Sequence, residues 1–156
     1  MRSVKEKLYM NVFISKNAEL FHKAIEDIWI SEQIWKVTPN NAVWHCTQAV
    51  EKILKGYLKC TGKNYEHGHE LIALLEDVEV YTTLTPDTVR YIHFLNRYST
   101  GLRYKHMTSD PTADDAKLAI ERAKCILSEF NNLATVKEHI QEAKEVHKKA
   151  LGKLND

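Results

Sequence analysis

Residues 44–58 read WHCTQAVEKILKGYL, and this stretch decides the fold. Its apolar residues recur at helical spacing and fill one broad stripe when they are projected at about 100° per residue. The pattern predicts a central helix over 43–60 whose stripe is buried, while Lys52 and Lys55 are mostly exposed. The residues expected to be buried are Cys46, Ala49, Val50, Ile53, Leu54 and Tyr57.

Two small residues lie close to this stripe. Gly56 stands in the middle of the predicted helix, where glycine is less favourable than alanine by about 1 kcal/mol. Ala49 precedes it by two turns on a neighbouring line of the helix. Because both residues are small, we predict a groove here that lets another helix approach closely. On the polar side, Glu51 and Lys55 have the i,i+4 spacing of a helical ion pair.

Turn and cap residues divide the rest of the chain. A break is expected over 38–41, with Asn41 as the N-cap of the central helix. Gly62 has the position of a helix C-cap. Thr85 followed by Pro86 is typical of an N-cap and a first helical residue.

The apolar periodicity outside the central stretch is also helical. A helix is expected from residue 18 to about 35, and a C-terminal helix over 133–152, whereas no segment alternates as a strand does. The sequence therefore predicts an all-α fold, an antiparallel bundle of about five to six helices. We expect one domain over 1–156, with its core in about 18–130.

Composition narrows the functional classes. The chain has 156 residues and a formal net charge of +1, so its global charge gives no argument for nucleic-acid binding. The three cysteines, Cys46, Cys60 and Cys125, form no Cys-x-x-Cys pair, and reduced thiols are expected. No signal peptide and no long uncharged apolar run occurs. These features predict a soluble, cytoplasmic protein.

Positive charge is concentrated in one interval. Between Asp87 and Asp110 the sequence has no acidic residue. Arginine binds phosphate through two parallel hydrogen bonds, and tyrosine rings stack on bases. We therefore predict a surface for a nucleotide or RNA here, although an arginine face paired with acids elsewhere in the fold explains the pattern equally well. The predicted ligand-binding residues are Arg90, His93, Arg97, Tyr98, Arg103, Tyr104 and Lys105.

Several stretches resemble one known family. Residues 48–55 read QAVEKILK and are similar to a Gln-Ala-x-Glu-Lys-x-Leu-Lys motif. Residues 18–24 precede this motif in the matching order, and residues 69–71, 96–104 and 114–116 follow it, with two Arg-Tyr pairs within 96–104. Together they resemble the bacterial and archaeal HEPN domains over about residues 18–130.

The resemblance implies a helical protein that binds a nucleotide or nucleic acid without catalysis. Alternatively, the resemblance implies an accessory role beside a minimal nucleotidyltransferase in a toxin–antitoxin-like pair. Two alternatives remain: a metal-independent ribonuclease toxin with a degenerate site, and a purely structural helical adaptor. The family habit and Trp44, which projects away from the apolar stripe, further predict a homodimer.

The ribonuclease members of the family carry an arginine, four to six residues, and then a histidine. That spacing is absent here, since Arg90 and His93 are separated by two residues and Arg97 and His106 by eight. We therefore predict no robust ribonuclease activity. Arg97 and His106 are the only weak catalytic candidates, because a loop could bring together a cation and a general base.

No pattern in the chain demands a cofactor or a metal. His67 and His69 flank one glycine, but no second ligand cluster completes a metal site at a recognisable spacing. Neither a nucleophile elbow nor a glycine-rich phosphate loop occurs. We predict no metal and no cofactor.

Overall fold

The computed structural model of the chain describes residues 13–63, 70–99 and 110–154, and these residues form six helices and no strand. None of these helices has the length and apolar composition of a membrane span. The all-α fold class predicted from the sequence is confirmed. In chain order, the helices are α1 (Glu19–Ile34), α2 (Pro39–Cys60), α3 (Leu71–Glu79), α4 (Pro86–Asn96), α5 (Ala113–Phe130) and α6 (Lys137–Leu154).

The central helix α2 contacts α1, α3, α4 and α5. Its predicted stripe is confirmed, because all six residues expected inside are at most 2% exposed. The prediction that Lys52 and Lys55 are mostly exposed is wrong, since their side chains are only 27% and 15% exposed. Glu51 is also buried, and Lys55 Nζ lies 3.0 Å from its Oε1, as the i,i+4 spacing predicts. With four helices around it, α2 keeps little surface for solvent.

The start of α2 differs from the prediction. Pro39 lies in the first turn and Thr38 precedes it as the N-cap, so Asn41 is inside the helix and not at its cap. Backbone N–H groups in the first turn of a helix have no carbonyl partner within the helix. Proline, which has no N–H, therefore loses no hydrogen bond at this place. Pro39 therefore marks the start of α2 better than Asn41 does.

The predicted cap at the end of α2 is confirmed. Gly62 has a φ of +80°, a conformation that glycine adopts without strain. Its N–H donates to the carbonyl of Lys59 at 3.1 Å, and the N–H of Lys63 donates to the carbonyl of Leu58 at 3.2 Å. These two bonds form a Schellman motif, which satisfies carbonyls that the helix end leaves open.

The small residue in the middle of α2 is where α1 comes closest. A Cβ atom added to Gly56 would lie 2.9 Å from Cζ of Phe21, a distance that side chains do not tolerate. Phe21 is fully buried, so its ring has no free volume into which it could retreat. The groove predicted from Ala49 and Gly56 therefore receives an aromatic ring of α1.

The first and last helices pack together. α1 begins at Glu19, and α6 begins at Lys137, four residues later than predicted, because the chain turns over 131–136. Before α1, the backbone N–H and the hydroxyl of Ser15 donate to Glu142 of α6 at 2.8 and 2.9 Å. The predicted C-terminal helix is thus confirmed, with a shifted start.

Two histidines meet at the α1–α6 interface. The rings of His22 and His147 are 6.3 Å apart, and the ring of Trp29 lies 6.1 Å from His147. Burial lowers the pKa of both histidines below 6.5, and for His147 the neighbouring His22 lowers it further. Glu26, whose Oε1 is 3.1 Å from Nδ1 of His22, opposes this shift in both rings.

Polar contacts fix α4 against α5. The hydroxyl of Thr85 caps α4 by accepting from the N–H of Thr88, which confirms the predicted cap. The same hydroxyl donates to Glu129 of α5 at 2.5 Å, and the backbone N–H of Thr85 donates at 3.0 Å. Burial opposes the charge of Glu129, but the hydrogen bonds from Thr85 and Thr88 outweigh it and hold the pKa of the carboxyl below its usual value. The start of α4 is thereby tied to the end of α5.

We predict that Gly56→Ala destabilises the protein. Overpacking against Phe21 costs about 1–3 kcal/mol, which exceeds the gain of about 1 kcal/mol from better helix propensity. Gly152→Ala is the matched control, because Gly152 is helical and has no atom within 4 Å of an added Cβ. That variant should be unchanged or more stable by up to about 1 kcal/mol. Urea denaturation of both variants checks this prediction. Equal unfolding midpoints for Gly56→Ala and Gly152→Ala would show that the Phe21 ring moves aside without loss of stability.

We predict that stability falls below about pH 6.5 through the histidine pair. The folded pKa of His147 is lower than the 6.5 of the unfolded chain, so the unfolded state binds the proton more readily. This contribution is complete above that pH and is progressively lost as the pH falls below it. His147→Gln should therefore show a smaller drop in melting temperature between pH 7.5 and 5.5 than the wild type. His139→Gln on the same helix is the control and should show the same drop in melting temperature as the wild type. An equal drop in His147→Gln would show that the histidine pair does not cause the pH dependence.

Candidate nucleic-acid interface

Three basic residues that the sequence singled out share one exposed face, two of them within α4 and the third at its C-cap. Arg90, His93 and Arg97 are all exposed and are separated by one helical turn each. Arg90 forms an ion pair with Asp87, one turn earlier. The acid at the border of the basic interval thus neutralises one of its arginines. His93 and Arg97 lie further from that carboxylate along the helix.

A groove of about 470 Å³ runs between α4 and α5. We call it the α4–α5 groove. It brings three arginines and one histidine together with two aromatic rings. The residues that line it are Val89, Arg90, Tyr91, His93, Phe94, Arg97 and Arg122.

Aromatic rings hold two of the arginines. The guanidinium of Arg122 lies 3.9 Å from the ring centre of Phe94 and 5.3 Å from that of Tyr91. The guanidinium of Arg97 lies 5.2 Å from the ring centre of Phe94. Such cation–π contacts orient the planar guanidinium while its N–H groups remain available to a ligand.

The sequence analysis missed Arg122. Its place was recognisable, because Arg122 lies one turn after Ala119 and one turn before Ile126 at the edge of the buried stripe of α5. A long basic side chain at the edge of an apolar stripe lays its stem along the neighbouring helix. What the sequence did not reveal was that this neighbour is α4.

Tyr98 is placed differently from the other candidates. It is 6% exposed, belongs to the hydrophobic core, and its ring lies edge-on to Phe94 at 5.6 Å. Burial raises the pKa of Tyr98, the charge of Asp115 raises it further, and a hydrogen bond with Arg97 opposes both. A ring packed in this way offers no face for a base to stack on, so its contribution to the groove is to support Phe94 and Arg97.

Four other candidates lie outside the described residues. They are Arg103, Tyr104, Lys105 and His106. The suggested Arg97–His106 pair therefore stays a prediction, as does the part that Arg103, Tyr104 and Lys105 were expected to take in the ligand-binding surface. His67 and His69 also lie outside, and within 13–63, 70–99 and 110–154 no group of three or more metal-ligating side chains comes together.

A second polar cluster joins α1 to α2. Asp27 is 6% exposed and forms an ion pair with Lys52, while its other oxygen lies 2.9 Å from Nδ1 of His45. The ring of Trp44 packs edge-on against His45 at 5.0 Å. Lys52 belongs to the QAVEKILK stretch, so this part of the motif holds two helices together. Trp44 is half-buried, next to this cluster.

Beside this cluster, Cys46 is a structural residue. Its Sγ lies 3.5 Å from the hydroxyl of Ser31, which in turn is within hydrogen-bonding distance of the carbonyl oxygens of Asp27 and Ala42, at 2.9 and 3.0 Å. Burial raises the pKa of the Cys46 thiol to about 12. A thiol that stays protonated at neutral pH is a poor nucleophile, which fits the reduced core thiol expected from the sequence.

We predict that Lys52→Met destabilises the protein by about 1.5–3 kcal/mol, because it removes a charged hydrogen bond from a buried carboxylate. Lys117→Met, at an exposed position of α5, is the control and should change stability by no more than about 0.5 kcal/mol. Denaturant unfolding of Asp27→Asn, Lys52→Met and the double variant measures the coupling between the two residues. A coupling energy of zero would show that the ion pair does not hold α1 to α2.

One comparison with known proteins identifies a family. A family model described as HEPN domain matches residues 17–133. A search of curated proteins and a search of solved structures gave no significant match. The matched region begins just before α1 and ends just after α5, so it includes the α4–α5 groove and leaves α6 outside.

Proposed function

The chain belongs to the HEPN domain family, and on that premise we propose that its α4–α5 groove binds the phosphate groups of a nucleotide or of RNA. The observation that carries this proposal is the arrangement of Arg97 and Arg122 around Phe94, from two different helices, at one open groove. Arg90 and His93 extend the same basic surface along α4.

The charge of the groove supports an anionic ligand. Asp87 neutralises Arg90, but among the described residues no carboxylate forms an ion pair with Arg97 or with Arg122. Both guanidinium groups lie near the same ring, so their like charges repel each other. An anion that contacts both arginines relieves this repulsion and accepts charged hydrogen bonds from each.

The aromatic contacts favour phosphate over base recognition. Arg122 covers Phe94 at 3.9 Å, and Tyr98 packs against the same ring from its edge. The ring is therefore engaged within the protein, and it acts as a support for the cations. Binding through phosphate contacts gives affinity with little dependence on sequence and a strong dependence on salt.

The role of this binding remains an inference from the family. An accessory partnership with a minimal nucleotidyltransferase in a toxin–antitoxin-like pair rests on the resemblance and stays a prediction, as does the homodimer. Co-purification of the chain with a nucleotidyltransferase encoded beside it tests the partnership. Light scattering over the micromolar range tests the dimer.

We predict that Arg97→Ala and Arg122→Ala each weaken the binding of labelled ATP or a short RNA by about 1.5–3 kcal/mol, because each removes a charged hydrogen bond to phosphate. Arg122→Lys should recover only part of the loss, since lysine keeps the charge but not the planar fork. Lys149→Ala, exposed on α6, is the control for net charge and should bind like the wild type. Fluorescence anisotropy at 50 and 200 mM salt, with a melting curve for each variant, provides the measurement.

Two results of this experiment oppose the proposal in different ways. Variants that melt earlier but bind as tightly as the wild type would show that the arginines only stabilise the fold. Cleavage of the RNA by the purified protein, abolished in His106→Ala, would contradict the predicted lack of ribonuclease activity and support the alternative of a degenerate ribonuclease.

A further inference from the structure

A second groove, of about 240 Å³, lies where α1, α5 and α6 meet. We call it the α1–α5–α6 groove. One of its walls is α6, whose residues Lys137–Leu154 lie beyond the family match at 17–133. The two walls from α1 and α5 lie inside the match and the α6 wall lies outside it, and the groove shares no lining residue with the α4–α5 groove.

The floor of the α1–α5–α6 groove is apolar. Ile25, Ile28 and Trp29 of α1 form one side, and Leu127 of α5 forms the other. Trp29 is only partly buried, and His147 of α6 packs edge-on against it at 6.1 Å. An indole exposed at an apolar floor provides a flat surface on which a planar ring can pack.

The charged residues that line the groove are Glu32, Lys124 and Lys144. Nζ of Lys124 lies 2.6 Å from Oε2 of Glu32, so these two charges offset each other. Lys144 is exposed, lies on the rim, and forms no ion pair within the described residues. Burial and the neighbouring His22 lower the pKa of His147, while Glu26 and Glu32 oppose that shift. Lys144 is thus the cation of the groove that no described carboxylate pairs with.

We propose that the α1–α5–α6 groove binds a small aromatic carboxylate, with its ring on the apolar floor beside Trp29 and its carboxylate at Lys144. The size of the groove sets the size of the ligand, because drug-sized molecules occupy sites of about 300–1,000 Å³ and this one is smaller. The lining also includes the Glu32–Lys124 ion pair and the exposed Ser128, so the groove does not offer the continuous apolar surface that a docked helix needs.

The test uses the full chain and two probes, benzoate and indole-3-carboxylate, each compared with its neutral amide. Binding is followed at pH 7.5 through the indole N–H resonance of Trp29, which Trp29→Phe assigns among the three tryptophans. We expect a saturable shift with the carboxylates, and at least tenfold weaker binding of the amides.

Two matched variants test the role of the charge. Lys144→Met should weaken carboxylate binding at least tenfold, because it keeps the length of the side chain and removes its charge. Lys148→Met, exposed on the same helix but not on the rim, should bind within twofold of the wild type. Ser128→Phe, at an exposed position of the mouth, should block the groove without disturbing the core.

Three results would overturn the proposal. The first is the absence of a saturable Trp29 shift with both carboxylates up to 10 mM, a concentration about tenfold above a Kd of 1 mM. The second is equal binding of carboxylates and amides, or equal binding by Lys144→Met and the wild type. The third is a Trp29 shift that depends on protein concentration without a probe, which would show that a second copy of the chain occupies the groove.

Discussion

The packing of the Phe21 ring on the bare backbone of Gly56 sets the distance between α1 and α2. Because both helices contact further elements, the separation of these two determines where the others can pack. The buried Asp27, held by Lys52 and His45 from α2, also joins α1 to α2. Steric fit fixes the distance and the ion pair fixes the register, so neither α1 nor α2 can slide without leaving a buried charge unpaired.

Both grooves depend on that pair of helices, because α5, one wall of the α4–α5 groove, packs on α2, and α1 is itself one wall of the α1–α5–α6 groove. The α4–α5 groove exists because Glu129 ties the start of α4 to the end of α5, which brings Arg122 over Phe94. The α1–α5–α6 groove exists because α6 packs on α1 and leaves the floor around Trp29 open. The core is well packed, whereas the candidate binding surfaces lie in grooves between neighbouring helices at the edge of the core.

The sequence predicted local features well and relations between helices poorly. The stripe of α2, the caps at Gly62 and Thr85, and the basic face of α4 follow from spacing along one helix, which is fixed by geometry. The partial burial of Lys52 and Lys55 and the position of Arg122 depend on which helices become neighbours. A single sequence does not contain that information in its periodicity. The start of α2 was misplaced because Pro39, which was assigned to a break, lies in the first turn of the helix, a position that the fixed φ of proline suits.

The positions of the recognised motif explain why family membership indicates the fold more firmly than the activity. Within the QAVEKILK stretch, Ala49, Ile53 and Leu54 are buried, and the charged side chains form ion pairs with Asp27 and within α2. These are residues that hold a bundle together. The arginines of the α4–α5 groove and the lysine of the α1–α5–α6 groove lie outside this stretch, on surfaces where substitution leaves the core intact. A match to this motif therefore reports the packing of the bundle, and it carries no information about which ligand the proposed grooves bind.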